Sequence, residues 1–150
     1  MTTVTRKLEW DSAHRVMRHE SKCSTLHGHR YVALVTCEAD QLDDCDRVID
    51  FGVIREKVGG WIDQNWDHTT LVNSEDEELW AFCYIDQQRG KRPPYSFLDA
   101  EPTAETIARQ LAQIASSLLA GTGVRVTEVE VFETPNCSAK VMVARPAVSA

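Results

Sequence analysis

Two segments near the N-terminus constrain the fold most strongly, because their alternating side chains predict two strands that both carry histidine. One side of the first predicted strand, from Val4 to His14, holds Val4, Leu8, Trp10, Ser12 and His14, with Arg6 as its charged exception. One side of the second, from His27 to Ala39, holds His27, His29, Tyr31, Ala33, Val35 and Cys37. The opposite side of the second strand is apolar at Val32 and Leu34, which predicts that both of its faces are at least partly covered.

His14, His27 and His29 are the first candidates for chemistry. Side chains two residues apart on a strand point to the same face, so His27 and His29 project into one space, and His14 ends the other strand on its inward side. Three ring nitrogens with one open position form the arrangement of a catalytic zinc site. A single histidine in a strand is more often structural, but three that can converge predict a metal centre.

Cys23 lies four residues before His27 and has two interpretations. As a fourth ligand it would close the coordination sphere, and the chain would then be a non-catalytic zinc protein with one cysteine and three histidines. As a thiolate just beyond the metal it could act as a general base. Spacing does not separate these two.

Asp67, His68 and Glu133 are further candidates. An Asp-His dipeptide is common by chance, but its carboxylate can orient the imidazole for proton transfer. Glu133 ends a predicted strand that also carries Val129 and Val131. It is either a solvated strand end or a carboxylate that binds a nitrogen heterocycle through two hydrogen bonds.

Composition limits the partners. The 150 residues fit one domain, and a net charge of −7 argues against nucleic acid. No apolar run reaches the ~20 residues of a membrane helix. The segment MTTVTRKLEW has no apolar stretch after its charges, so we expect no secretory signal. Five cysteines without a CxxC pair favour a reducing cytoplasm.

The segment from His14 to Arg30 carries four basic residues and only one acidic residue, Glu20. This local excess of positive charge suggests an anionic small molecule as the ligand. The basic residues are Arg15, Arg18, Lys22 and Arg30.

The remaining elements complete an α+β domain of order β-β-α-α-β-β, with helices packed on an antiparallel sheet. A first helix is predicted after the N-cap Asp50, and a second after Thr103. Two short strands are predicted at Val124 to Glu133 and Ala139 to Ala144. Ser74 to Glu101 is predicted to be a surface loop with a short strand.

The motifs AH, CSTLHGH, VIDF, DHTTL, EPTAE and FETPNCSA occur in this order over nearly the whole chain. Their succession resembles the 6-pyruvoyl-tetrahydropterin synthase / 6-carboxytetrahydropterin synthase family. The resemblance implies the tunnelling fold, with two helices on one face of the sheet and subunits that associate into a barrel. It also implies a homohexamer made of two trimers, with active sites between subunits. Residues 1–150 would form one such domain, with a variable excursion at 74–101.

The resemblance also implies roles for individual residues. His14, His27 and His29 match the zinc ligands, Cys23 matches the catalytic base, and Asp67 with His68 matches the pair that completes the proton relay. The residues that match pterin-binding positions are Glu133 and Thr103.

The gap of three residues between Cys23 and the HGH segment resembles the bacterial 6-carboxytetrahydropterin synthases of queuosine (7-deazaguanine) synthesis. These implied enzymes convert 7,8-dihydroneopterin triphosphate to 6-carboxytetrahydropterin, acetaldehyde and triphosphate. Formation of a 6-pyruvoyl product is the alternative within the family.

Overall fold

The two histidine-bearing segments pair as neighbouring strands at the centre of a six-stranded sheet. The computed structural model describes residues 2–88 and 94–145. The strands are β1 (Thr3–His14), β2 (His27–Glu38), β3 (Thr69–Asn73), β4 (Tyr95–Leu98), β5 (Arg125–Thr134) and β6 (Cys137–Met142). The helices are α1 (Phe51–Ile54), α2 (Gly60–Asn65), α3 (Glu77–Gln87) and α4 (Ala104–Leu118), with a turn of π-helix at Arg55–Gly59 that joins α1 to α2.

The strand order is β4-β3-β1-β2-β5-β6. β1 pairs with β2, β2 with β5, and β5 with β6, all antiparallel as predicted for the sheet. The expectation of a wholly antiparallel sheet is wrong, because β3 runs parallel to β1 and β4 runs parallel to β3. The sheet is therefore mixed, and the two added strands lie on the side of β1 that leads away from β2.

One hydrophobic core joins the inward face of the sheet to the two predicted helical segments. Trp10 of β1 stacks on Tyr31 of β2, with ring centroids 5.3 Å apart. α4 buries Ile107 and Leu111 in this core. Both predicted caps are present, because the Asp50 side chain accepts from the Gly52 N–H and the Thr103 side chain accepts from the Thr106 N–H.

The predicted first helix contains a π-helical turn at the glycine pair Gly59-Gly60. A Cβ added at Gly59 would lie 3.1 Å from the Leu8 Cδ2 atom, which is part of the core. The glycine therefore allows the helix to lie close against β1. Two adjacent glycines are unfavourable in a regular α-helix, and in the structure the helix changes to a π-helical turn where they occur.

The segment from Ser74 to Glu101 differs from the predicted surface loop. It contains the three-turn helix α3 as well as the short strand β4, while residues 89–93 lie outside the described part of the chain. None of the helices in the described ranges is long and apolar enough to span a membrane.

Candidate metal centre

The β1–β2 register brings the three candidate histidines together. His14 is the last residue of β1 and lies directly opposite His27, the first residue of β2. His29 follows two residues later on the same face of β2. One ring nitrogen from each histidine lies within 4.8 Å of the other two. Within the described residues, Cys23 is not part of this ligand group.

Backbone carbonyls orient two of the three rings. The Nδ1 atom of His14 donates to the Pro102 carbonyl over 2.6 Å, and that of His27 donates to the Thr25 carbonyl over the same distance. Because a carbonyl only accepts, both Nδ1 atoms carry the proton. Nε2 is then the nitrogen with a free lone pair in each ring, as a metal ligand requires.

His14 provides the clearest sign that this group of nitrogens fits a metal. The ring is 1% exposed, and its Nε2 atom has no hydrogen-bond partner among the described residues. Burial is the largest influence on the pKa of His14 and lowers it, although the Pro102 carbonyl and Glu133 oppose the shift. Burial also lowers the pKa of His29. Both shifts favour neutral imidazole, the form that binds a divalent cation such as zinc.

Glu133 reaches the same group of histidines from β5. Its Oε1 atom lies 3.2 Å from His14 Nε2 and 3.7 Å from His29 Nε2. The contact with His14 has the distance of an ion pair but not the geometry of a hydrogen bond. A cleft of about 230 Å³ lies beside this carboxylate, and Cys23 and Thr103 also line it. The residues predicted to act as the base and to contact the pterin therefore line one cleft, and Glu133 connects this cleft to the histidines predicted to bind the metal.

Asp67 and His68 form a connected pair. The His68 Nδ1 donates to Asp67 Oδ2 over 2.8 Å, and Asp67 Oδ1 accepts the Asp11 N–H over 3.0 Å. His68 has a φ of 58°, in the left-handed region that non-glycine residues seldom adopt. Its side chain is 75% exposed, so the carboxylate fixes one end of a ring that faces outward.

Within one chain, His68 borders a different cleft from Cys23. It lines a cleft of about 620 Å³ together with His29 and Arg30, whereas Cys23 lines the smaller cleft beside Glu133. The sequence motifs do not reveal this separation, since they give only the order of the residues along the chain.

The basic residues proposed for an anionic ligand are largely bound to carboxylates. Arg15 contacts both oxygens of Asp76, Arg18 pairs with Glu75, and Arg30 donates to Asp11 over 2.6 Å. The excess of positive charge seen in the sequence between His14 and Arg30 is therefore offset by acids from other parts of the chain. Those acids lie up to about sixty residues away, so counting charges in a sequence window cannot reveal them.

The sequence analysis assigned no role at the site to Tyr31 or Pro102, although both lie beside the histidines. The Tyr31 hydroxyl is buried without a hydrogen-bond partner among the described residues, and its ring lies 5.8 Å from His14 and 5.7 Å from His29. Burial raises its pKa. The alternating pattern of β2 places Tyr31 on the same face as His27 and His29, and this pattern could have indicated that Tyr31 lies at the site. Pro102 acts through its carbonyl, which no side-chain motif could indicate.

Comparisons with known proteins show which family the chain belongs to. The family profile of 6-pyruvoyl tetrahydropterin synthase matches residues 3–143. A Rickettsia bellii protein named 6-carboxy-5,6,7,8-tetrahydropterin synthase is 39% identical over 94% of this chain and 100% of its own length. A Bacillus subtilis protein of the same name is 32% identical over 83% of this chain and 73% of its own. The chain therefore belongs to the 6-pyruvoyl tetrahydropterin synthase family.

Solved structures support the fold. An uncharacterized protein from Wolinella succinogenes has a TM-score of 0.80 at 22% identity, covering 94% of this chain and 97% of the other. The 6-pyruvoyl tetrahydropterin synthase of Caenorhabditis elegans has a TM-score of 0.66 at 20% identity, covering 95% and 96%. The predicted α+β tunnelling fold is confirmed by these neighbours.

We expect His27→Ala to abolish stoichiometric zinc binding, because two imidazoles alone give an incomplete set of ligands. Metal content after dialysis, measured by elemental analysis, provides the test. His19→Ala is the matched control, since His19 lines the cleft beside Cys23 but lies outside the group of three. Full zinc content in His27→Ala would remove His27 from the proposed site.

Proposed function

We propose that this chain is a zinc-dependent lyase that converts 7,8-dihydroneopterin triphosphate to 6-carboxy-5,6,7,8-tetrahydropterin, acetaldehyde and triphosphate, as in queuosine synthesis. The observation that carries this proposal is the cleft in which Cys23, Thr103 and Glu133 lie beside three converging imidazoles. The names of the relatives at 39% and 32% identity favour the carboxy product. A cytoplasmic location stays a prediction from the cysteine pattern.

The residues that would hold the metal are His14, His27 and His29. A zinc ion bound there supplies Lewis acidity toward the side-chain hydroxyl oxygens of the substrate. The buried His14 ring and the Pro102 carbonyl keep the orientation of this ligand fixed before substrate arrives.

Cys23 is proposed as the base that removes a proton from a side-chain carbon of the substrate. It lines the cleft beside Glu133 and lies outside the group of metal ligands, which leaves its sulfur available for proton transfer. This placement argues against the alternative of a closed site with one cysteine and three histidines. His68, oriented by Asp67, is proposed to return a proton at another position.

Glu133 and Thr103 are proposed to bind the pterin ring. A carboxylate can accept two hydrogen bonds from adjacent N–H groups of a heterocycle, which fixes the ring in one orientation. Glu133 projects from β5 to within 3.2 Å of a metal ligand, so a ring bound there would place its substituent at the metal. The Thr103 hydroxyl also caps α4, and this contact fixes the position of its side chain.

We propose a homohexamer made of two trimers, with the active sites between subunits. Support comes from the separation of His68 and Cys23 into two clefts of one chain. A neighbouring subunit that presents its Asp67–His68 pair to the Cys23 cleft would complete the relay. Val32 and Leu34, on the outer face of β2, are only partly buried in one chain, as expected for a face covered on assembly.

We expect zinc-loaded protein incubated with 7,8-dihydroneopterin triphosphate to release 6-carboxytetrahydropterin and acetaldehyde, identified by mass spectrometry. Cys23→Ala should abolish turnover while zinc content stays at the wild-type level, because the base is lost and the ligands remain. A 6-pyruvoyl product would keep the site and change the reaction to the family alternative. Absence of any turnover by the wild-type protein with zinc bound would refute the proposed activity.

A second prediction tests the shared site. Cys23→Ala and His68→Ala should each be inactive alone, but dissociation and reassembly of an equal mixture should restore about a quarter of wild-type activity. Random mixing gives that fraction of interfaces in which both groups are intact. A mixture of Cys23→Ala with a Cys23→Ala, His68→Ala double variant serves as the control. No recovery in the first mixture would show that both residues act within one chain.

A further inference from the structure

The loop that carries Cys23 is fastened from outside by the segment between β3 and α4. This loop joins His14, at the end of β1, to His27, at the start of β2. Its own backbone closes through a hydrogen bond from the Val16 N–H to the Cys23 carbonyl over 2.8 Å, and Cys23 lies in a short 3-10 turn. Further backbone hydrogen bonds within the loop run from His19 to Val16, from Ser24 to Ser21 and from Thr25 to Lys22. These bonds shape the loop locally, so its position against the metal centre depends on contacts with other parts of the chain.

The first outside contact is a charged pair at the start of α3. The Nε and Nη2 atoms of Arg15 donate to the two oxygens of Asp76 over 2.7 and 2.6 Å. The Asp76 side chain is only 2% exposed, and it also accepts the Leu79 N–H over 3.1 Å. The bidentate pair lowers the pKa of Asp76 and raises that of Arg15. The first residue of the loop is thus held at the N-terminus of α3.

The second outside contact comes from the other end of the same segment. The Glu101 carboxylate accepts the backbone N–H of Met17 over 2.9 Å and that of Arg18 over 3.3 Å. Glu101 immediately precedes Pro102, whose carbonyl accepts from the metal-ligand candidate His14. Adjacent residues therefore hold the loop and one histidine in a fixed relation to each other.

We propose that two contacts form a brace, Asp76 acting through Arg15 at the start of α3 and Glu101 before α4, and that these positioning residues set Cys23 against the metal centre. This proposal rests on the proposed function, because it takes Cys23 to be the base. It also assigns Arg15 a structural role, because its guanidinium binds Asp76 and not an anionic substrate. A base displaced by about 1 Å can cost about 100-fold in rate, so restraint of this loop has a direct effect on turnover.

Glu101→Ala is the main test, because Glu101 is partly exposed and its removal leaves the Pro102 carbonyl in place. We expect amide exchange of Met17 and Arg18 to become about tenfold faster or more, as for loss of a hydrogen bond to a charged acceptor. Alkylation of Cys23 should accelerate relative to the exposed Cys137 in the same protein. Zinc content should stay unchanged, and kcat should fall about 10- to 100-fold with little change in KM.

Two further variants separate positioning from general damage. Glu101→Gln keeps one carbonyl oxygen and should recover part of the exchange protection and of kcat. Asp99→Ala removes a carboxylate two residues away that pairs with Arg109 and does not contact the loop, so it should behave as wild type. The combined variant Arg15→Met, Asp76→Asn tests the other end without leaving a buried charge unpaired, and we expect the same faster exchange and lower kcat.

The brace is refuted if exchange and alkylation in Glu101→Ala match those of Asp99→Ala. Faster exchange with unchanged kcat would also overturn it, because the loop would then be restrained without effect on catalysis. Exchange and alkylation do not depend on turnover. Failure of the wild-type protein to act on 7,8-dihydroneopterin triphosphate would therefore refute the proposed function separately, and would leave these two measurements to decide whether the segment restrains the loop.

Discussion

The antiparallel register between β1 and β2 is the interaction on which the site depends. It places His14 opposite His27, and the two-residue repeat of β2 then brings His29 to the same face. A shift of one residue in this pairing would turn the histidines of β2 away from His14. Trp10 and Tyr31 are stacked and fully buried a few residues along the same strands, and the same one-residue shift would turn Tyr31 out of the core. Core packing and metal-site geometry are therefore specified by the same ladder of hydrogen bonds.

The start of α4 connects this ladder to the rest of the site. Glu101, Pro102 and Thr103 are consecutive, and they contact the Cys23 loop, the His14 ring and the first turn of α4, respectively. Each of these contacts uses a backbone group, at Met17, Pro102 and Thr106, so it does not depend on the side chain of that residue. A short stretch of chain thus contacts the loop of the proposed base, a candidate metal ligand and the turn that holds a proposed pterin contact, and the buried residues of α4 anchor that stretch in the core.

The sequence predicted those elements that depend on residues close together in the chain. Alternation indicated β1 and β2, a side-chain cap and apolar spacing indicated α4, and the histidine spacing indicated the ligand group. α3 was missed because it has apolar side chains on several sides, with Trp80, Phe82 and Ile85 all exposed, so it shows no single buried stripe. The parallel strands β3 and β4 and the partners of Arg15 depend on residues far apart in the chain. The division of His68 and Cys23 between two clefts likewise depends on three-dimensional placement, which motif order does not contain.

X-ray absorption at the zinc edge of the fully loaded wild-type protein tests the central claim most directly. Three histidines from β1 and β2, with Cys23 outside the coordination sphere, predict only nitrogen and oxygen neighbours at about 2.0–2.1 Å and the scattering pattern of imidazole rings. A sulfur neighbour at about 2.3 Å would place Cys23 on the metal, remove the proposed base and convert the open site into a closed structural one.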